Sequence, residues 1–209
     1  KNKNIFILVT FLILFIAVMG VVAFKKYKYP PQTADVVRDR AWEVFAKYLQ
    51  FAKDHNREGI KSLSHQVSPQ CQDLVREAEC FALMDNVYEF FSKYKAADFT
   101  QVWSDEKQII LLTDPVQIDT EGVRWFAQAH IIFIRQENEI KVLGGNPARM
   151  WLQNTKDLSE QEIMDRLEYA MKDSDQDGLE DQKETATDPT KRDSDGDGWW
   201  DGVEILFKE

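Results

Sequence analysis

Residues 173–184 read Asp-Ser-Asp-Gln-Asp-Gly-Leu-Glu-Asp-Gln-Lys-Glu, and residues 193–204 read Asp-Ser-Asp-Gly-Asp-Gly-Trp-Trp-Asp-Gly-Val-Glu. Offset by 20 residues, Asp173, Asp175, Asp177, Gly178, Asp181 and Glu184 recur as Asp193, Asp195, Asp197, Gly198, Asp201 and Glu204. Carboxylates at positions 1, 3 and 5 of a short loop converge on one hard cation, and glycine at position 6 permits a sharp turn. The backbone carbonyl of position 7 (Leu179, Trp199) adds an oxygen. The position-9 aspartate (Asp181, Asp201) binds directly or through water, and the position-12 glutamate (Glu184, Glu204) closes the shell with both oxygens. This is the chemistry of Ca²⁺ binding. A solvated acidic tail would share the composition, but it would not place six residues identically twice.

The spacing within each loop is that of an EF-hand, but only eight residues, 185–192, separate the loops. That is too few for the two helices that flank paired EF-hands. Asp-x-Asp-x-Asp-Gly-Leu-x-Asp, then Thr187-Asp188-Pro189, then a second Asp-x-Asp-x-Asp-Gly, resembles the thrombospondin type 3 calcium repeats of bacterial surface proteins. Dockerin repeats are the more helical alternative. The resemblance covers about 32 residues. It implies a segment stiffened by calcium in place of an apolar core, with Asp188 offering a further oxygen. Trp199-Trp200 departs from that pattern and suggests packing on another surface.

The chain carries a formal charge of −10, concentrated at one end: residues 173–209 hold 13 acidic and 4 basic side chains. The acidity therefore belongs to the loops. No basic stripe with interleaved aromatics occurs, which argues against nucleic-acid binding.

Residues 5–24 are uncharged and apolar, long enough as a helix to cross a bilayer. They predict a membrane anchor, with a cleaved secretory signal as the alternative. Residues 25–32, with Pro30-Pro31, read as a stiff linker. The lysines after the apolar run would hold the body in the cytoplasm. Millimolar-range calcium modules belong outside cells, and the expectation is an extracellular or periplasmic body.

Apolar residues at 3–4 spacing predict helices over 33–54, 58–64 and 80–94. The period then changes, and 99–103, 108–113, 123–134 and 139–143 read as strands, with a turn at 136–138. Helices followed by strands mean an α+β domain, over 33–146, with an antiparallel sheet. The order is similar to the nuclear-transport-factor-2-like, cystatin-like fold, in topology only, and that resemblance implies helices packed on a curved antiparallel sheet. After a loop at 144–147, Ser159 and Glu162 form a capping box for a helix running to about residue 172. The whole reads as an α+β fold class: a transmembrane helix (1–24), the domain, a connecting helix (147–172) and tandem calcium loops (173–209).

Cys71 and Cys80 are the only cysteines. On one straight helix they would stand about 13.5 Å apart, beyond the reach of a disulfide. An even count in an exported chain favours a bridge, so the chain is expected to bend between them, beginning at Ser68-Pro69. No His–Asp pair or nucleophile signature stands out around His55, His65 and His130, and fold analogy supplies no site. The leading reading is a non-catalytic, membrane-anchored surface protein with Ca²⁺ bracing a spacer or a segment that docks a protein partner. The alternatives are a small-ligand-binding or isomerase-like domain with a structural calcium tail, and a calcium sensor facing the cytoplasm.

Overall fold

The computed structural model describes residues 33–120, 123–136, 139–143, 148–154 and 158–208. The chain opens on α1 (Ala34–Lys53), α2 (Arg57–Leu63), α3 (Pro69–Gln72), a 3₁₀ turn (Leu74–Arg76) and α4 (Glu77–Phe91). Strands β1 (Gln101–Ser104), β2 (Gln108–Leu112), β3 (Val116–Thr120), β4 (Val123–Gln136), β5 (Glu139–Val142) and β6 (Ala148–Asn154) follow, then α5 (Glu160–Met171) and α6 (Asp201–Lys208). The α+β class is as expected. The membrane-spanning helix is corrected: among the described residues no helix is long and apolar enough to cross a membrane. The run 5–24, the turn residues 137–138 and the loop 144–147 lie outside the described residues.

β4 is the spine of the sheet. Its first half pairs antiparallel with β3 and β6, and its second half with β2 and β5. Leu112 faces His130 while Val116 faces Ala127, so β2–β3 spends one more residue than β4 over the same stretch. That is a bulge, and bulges bend a sheet; Pro115 lies in the gap.

Alternation along β4 sends its side chains to two different layers. Ala129, Ile131 and Phe133 pack with Ile109 and Leu111 of β2 against Val37, Ala41, Phe45 and Leu49 of α1 and Phe91 of α4. The opposite face is covered by the C-terminal third of the chain. Phe126 and Trp151 meet Ile163 and Leu167 of α5. Farther along, Ile110, Leu112, Ile132, Ile134 and Leu143 meet Trp200 and Val203. This explains why β2 reads Gln-Ile-Ile-Leu-Leu with every residue buried: it is covered on both sides. The Trp199-Trp200 departure thus has a surface to pack on, the protein's own sheet.

Cys71 and Cys80 form a disulfide, with Cα atoms 4.8 Å apart. The bend lies where α3 ends and Asp73 accepts a hydrogen bond from Val75 N–H at 2.9 Å to start the 3₁₀ turn. Arg57 holds the end of α3, donating from Nε to the Cys71 carbonyl at 2.7 Å and from Nη2 to that of Gln72 at 2.9 Å. Both cysteines are buried against Ala52, Ile60 and Met84. Opening the bridge with Cys71→Ser/Cys80→Ser is expected to cost about 2–3 kcal/mol, read as a lower urea midpoint at unchanged slope.

Candidate metal centre

α5 begins with its predicted capping box: Glu162 N–H donates to Ser159 Oγ at 3.3 Å, and Ser159 N–H to Glu162 Oε2 at 2.9 Å. The helix delivers the chain to the first loop, which settles over the outer face of the sheet. There Arg149 of β6 projects beside Gln128 of β4. Arg149 is 9% exposed, and its guanidinium pairs with Glu180 at 3.1 Å and approaches Asp173 at 3.7 Å.

The two loops repeat one hydrogen-bond network. At position 1, Asp173 accepts from Gln176 and Gly178 N–H at 2.8 and 3.2 Å, and Asp193 from Gly196 and Gly198 N–H at 2.7 and 2.7 Å. At position 3, Asp175 and Asp195 accept from the N–H of Asp177 and Asp197 at 3.3 and 3.1 Å. At position 5, Asp177 and Asp197 accept from the N–H of Leu179 and Trp199 at 2.7 and 2.8 Å. Gly178 and Gly198 take φ of +100° and +91°, the left-handed region that position 6 was expected to need. Position 4 is left-handed too, at Gln176 (φ +64°) and Gly196 (φ +80°).

This wiring gathers the carboxylates. Ligand-capable oxygens of Asp173, Asp175 and Asp177 lie within 4.8 Å of one another, as do those of Asp193, Asp195 and Asp197. A third gathering within the same distance joins Asp177 and Glu184 to Asp201 of the second loop.

The remaining expected ligands are placed differently. Asp181 and Asp201, at position 9, each clamp the serine at position 2. Asp181 accepts from Ser174 N–H and hydroxyl at 2.7 and 2.8 Å, and Asp201 from Ser194 at 3.2 and 2.7 Å. Their own N–H groups donate to the carbonyls of Lys172 and Arg192, both at 2.8 Å. Asp181 also pairs with Lys172 at 2.7 Å, outside every carboxylate gathering. Asp188 is turned to Thr190 and Lys191, which hold its carboxyl down at about 2, Lys191 contributing most. Glu204 lies in the first turn of α6 and joins none of the three gatherings among the described residues. Leu179 is buried and Trp199 half-buried.

The loops are interlocked. Gly202 N–H, in α6, donates to Asp177 Oδ2 at 2.7 Å. A Cβ at Gly202 would stand 2.7 Å from the Asp177 carbonyl oxygen and 2.8 Å from Leu179 N, so only glycine permits this approach. Arg192 donates from Nε to the Asp175 carbonyl and from Nη2 to Gln176 Oε1 at 3.1 Å, and lies over the Trp200 ring. Lys107, from the β1–β2 connection, donates to the Asp197 carbonyl at 2.9 Å and lies over Trp199.

The electrostatic cost is written in the carboxyls. Burial pushes Asp173 up to about 6, with Arg149 opposing and Asp175 adding. It pushes Asp177 up to about 7 against hydrogen bonds from Leu179 and Gly202, and Glu184 up to about 7 with the Asp175 charge adding. Such groups bind protons more readily folded than unfolded. Without a cation, their contribution to stability is therefore lost as pH rises from about 4 to about 7. A divalent cation removes the repulsion at neutral pH and competes with those protons.

Comparison with protein-family models, with curated proteins and with solved structures returned no match. The assignment of thrombospondin-type calcium repeats accordingly has no relative behind it and is set aside, leaving the cation-binding reading on the loop geometry alone.

Proposed function

We propose that this chain is a cation-binding protein of an oxidising compartment, in which Ca²⁺ in the two acidic loops fixes the C-terminal segment onto an α+β domain with no catalytic role. The observation that carries the reading is the bond-for-bond repetition of one network in two loops, each orienting three carboxylates toward a common point. All the donors are oxygens, which suits a hard cation over zinc or copper. Flexible loops with many carboxylates suit calcium over magnesium, which demands tight octahedral geometry and keeps its waters. The Cys71–Cys80 bridge supports an oxidising compartment, where calcium is plentiful.

The test is calorimetry on the full chain at neutral pH, with tryptophan fluorescence in parallel, since Trp199 and Trp200 both sit in the second loop. Calcium is expected to bind with a dissociation constant of about 0.1–1 mM or tighter, changing the fluorescence reversibly. Magnesium at the same concentration should leave it unchanged. At pH 5.5 the calcium affinity should fall about tenfold or more, because Asp173, Asp177 and Glu184 must release protons to bind. Neither heat nor a fluorescence change at several millimolar calcium would remove the reading.

A further inference from the structure

Three carboxylates from two loops meet where the first loop touches α6. Asp177 is the fifth residue of the first loop, Glu184 its twelfth and Asp201 the ninth of the second, and they are 0, 7 and 3% exposed. Neither loop alone builds this site, because Asp177 and Glu184 come from the first loop and Asp201 from the second, and Asp177 also belongs to the first loop's own gathering. None of the three forms an ion pair with a lysine or arginine among the described residues.

The oxygens are not equally provided for. Asp177 accepts the N–H groups of Leu179 and Gly202, and Asp201 accepts both donors of Ser194. Glu184 Oε1 accepts the Thr187 hydroxyl at 3.2 Å, but Glu184 Oε2 is buried and accepts no hydrogen bond. A hydrogen-bond donor could satisfy a buried carboxylate oxygen, but only a proton or a cation also relieves the repulsion of two neighbouring carboxylates.

We infer that Asp177, Glu184 and Asp201 form a third cation site, shared between the loops, whose filling pins α6 against the first loop and so holds Trp200 and Val203 on the sheet. This rests on the reading that the loops bind Ca²⁺, and it adds what each cation controls. Asp201 and Gly202 begin α6, next to the two residues that cover Ile110, Ile132 and Ile134. Like charge between Asp201 and the first loop opposes that docking until a divalent cation lies between them. The loop-proper cations order their own loops, and the shared cation joins the loops and closes the cover over the sheet.

The test uses the full chain with Ca²⁺ as the probe, comparing wild type with Glu184→Gln and Asp195→Asn by calorimetric stoichiometry and amide hydrogen exchange. Wild type is expected to bind one cation per gathering, three in all. Glu184→Gln should lose one, and its α6 amides should exchange about tenfold faster or more at saturating calcium, while residues 196–199 keep their calcium-dependent protection. Asp195→Asn should also lose one cation yet leave α6 protected. Removing a carboxylate from a crowded, buried set relieves repulsion, so Glu184→Gln should fold; Asp201→Asn repeats the experiment from the other loop. Wild type binding two cations, with Glu184→Gln also binding two and α6 unchanged, would overturn this site while leaving the loop sites standing. No calcium bound at any site would overturn both readings.

Discussion

Trp200→Ala is expected to lower the unfolding free energy of the protein, measured in millimolar calcium, by about 3–5 kcal/mol, the usual range for deleting a large aromatic from a packed interior. Trp200 is 4% exposed and completes a cluster whose other members are Ile110, Leu112, Ile132, Ile134, Leu143 and Val203. Its backbone N–H, which the truncation keeps, donates to the buried Gln108 Oε1 at 3.3 Å, tying the second loop to β2. The truncation leaves a cavity over the sheet and weakens the docking of α6 together with it. Trp199→Ala is the control: its half-buried ring lies beneath Lys107 at 5.0 Å, and its loss should cost about 1 kcal/mol. Urea unfolding followed by far-ultraviolet circular dichroism measures both. Equal and small losses would mean that the loop segment does not share the stability of the sheet in solution.

Arg149→Met should cost about as much, 3–5 kcal/mol roughly, because it removes one partner from a buried set of charges. Arg149 is the counterion of Glu180, itself 2% exposed, and its guanidinium reaches Asp173. Methionine keeps much of the stem, so the loss is electrostatic more than steric. The expected signature is an interaction with calcium. In chelator, Asp173 and Glu180 both lose their counterion, although Lys183 still reaches Glu180 at 2.9 Å. With calcium in the first loop, Asp173 has a new partner and the destabilisation should shrink. Thermal unfolding of wild type and variant, each with and without calcium, gives the four values needed. The same loss in both conditions would separate Arg149 from the metal centre.

The elements that the sequence betrays are those whose burial follows a simple period. α1 runs Ala34–Lys53 where a helix over 33–54 was expected, because its Val37, Ala41, Phe45 and Leu49 form one stripe against the sheet. β3 and β6 escape notice for local reasons. In β6 Arg149 is buried alongside Trp151 while the apolar Met150 between them is exposed, which breaks the apolar-in, polar-out alternation that marks a strand. β3 follows a proline and begins at Val116, an exposed apolar residue. At the candidate metal centre, positions 1, 3 and 5 are legible because the loop wires them locally. Position 9 divides: both its aspartates satisfy the serine at position 2, but Asp181 lies outside every carboxylate gathering while Asp201 joins Asp177 and Glu184. The meeting of Asp201 with Asp177 and Glu184 has no signature along the chain, since it depends on how one loop lies against the other.

Because Trp200 meets Gln108 across 92 residues, the outer cover is among the last pieces a folding chain can set in place; long closures are costly and slow. Until then β2 and the Ile131–Ile132–Phe133–Ile134 stretch of β4 present uncharged, β-prone surface to water. Segments of that composition pair readily with copies of themselves. The acidic loops therefore act on the time axis as well as in the finished fold. Their like charges keep the late-arriving segment soluble and extended while it waits, and neutralising them, as the proposed Ca²⁺ would, sets the moment at which the sheet is sealed from its neighbours.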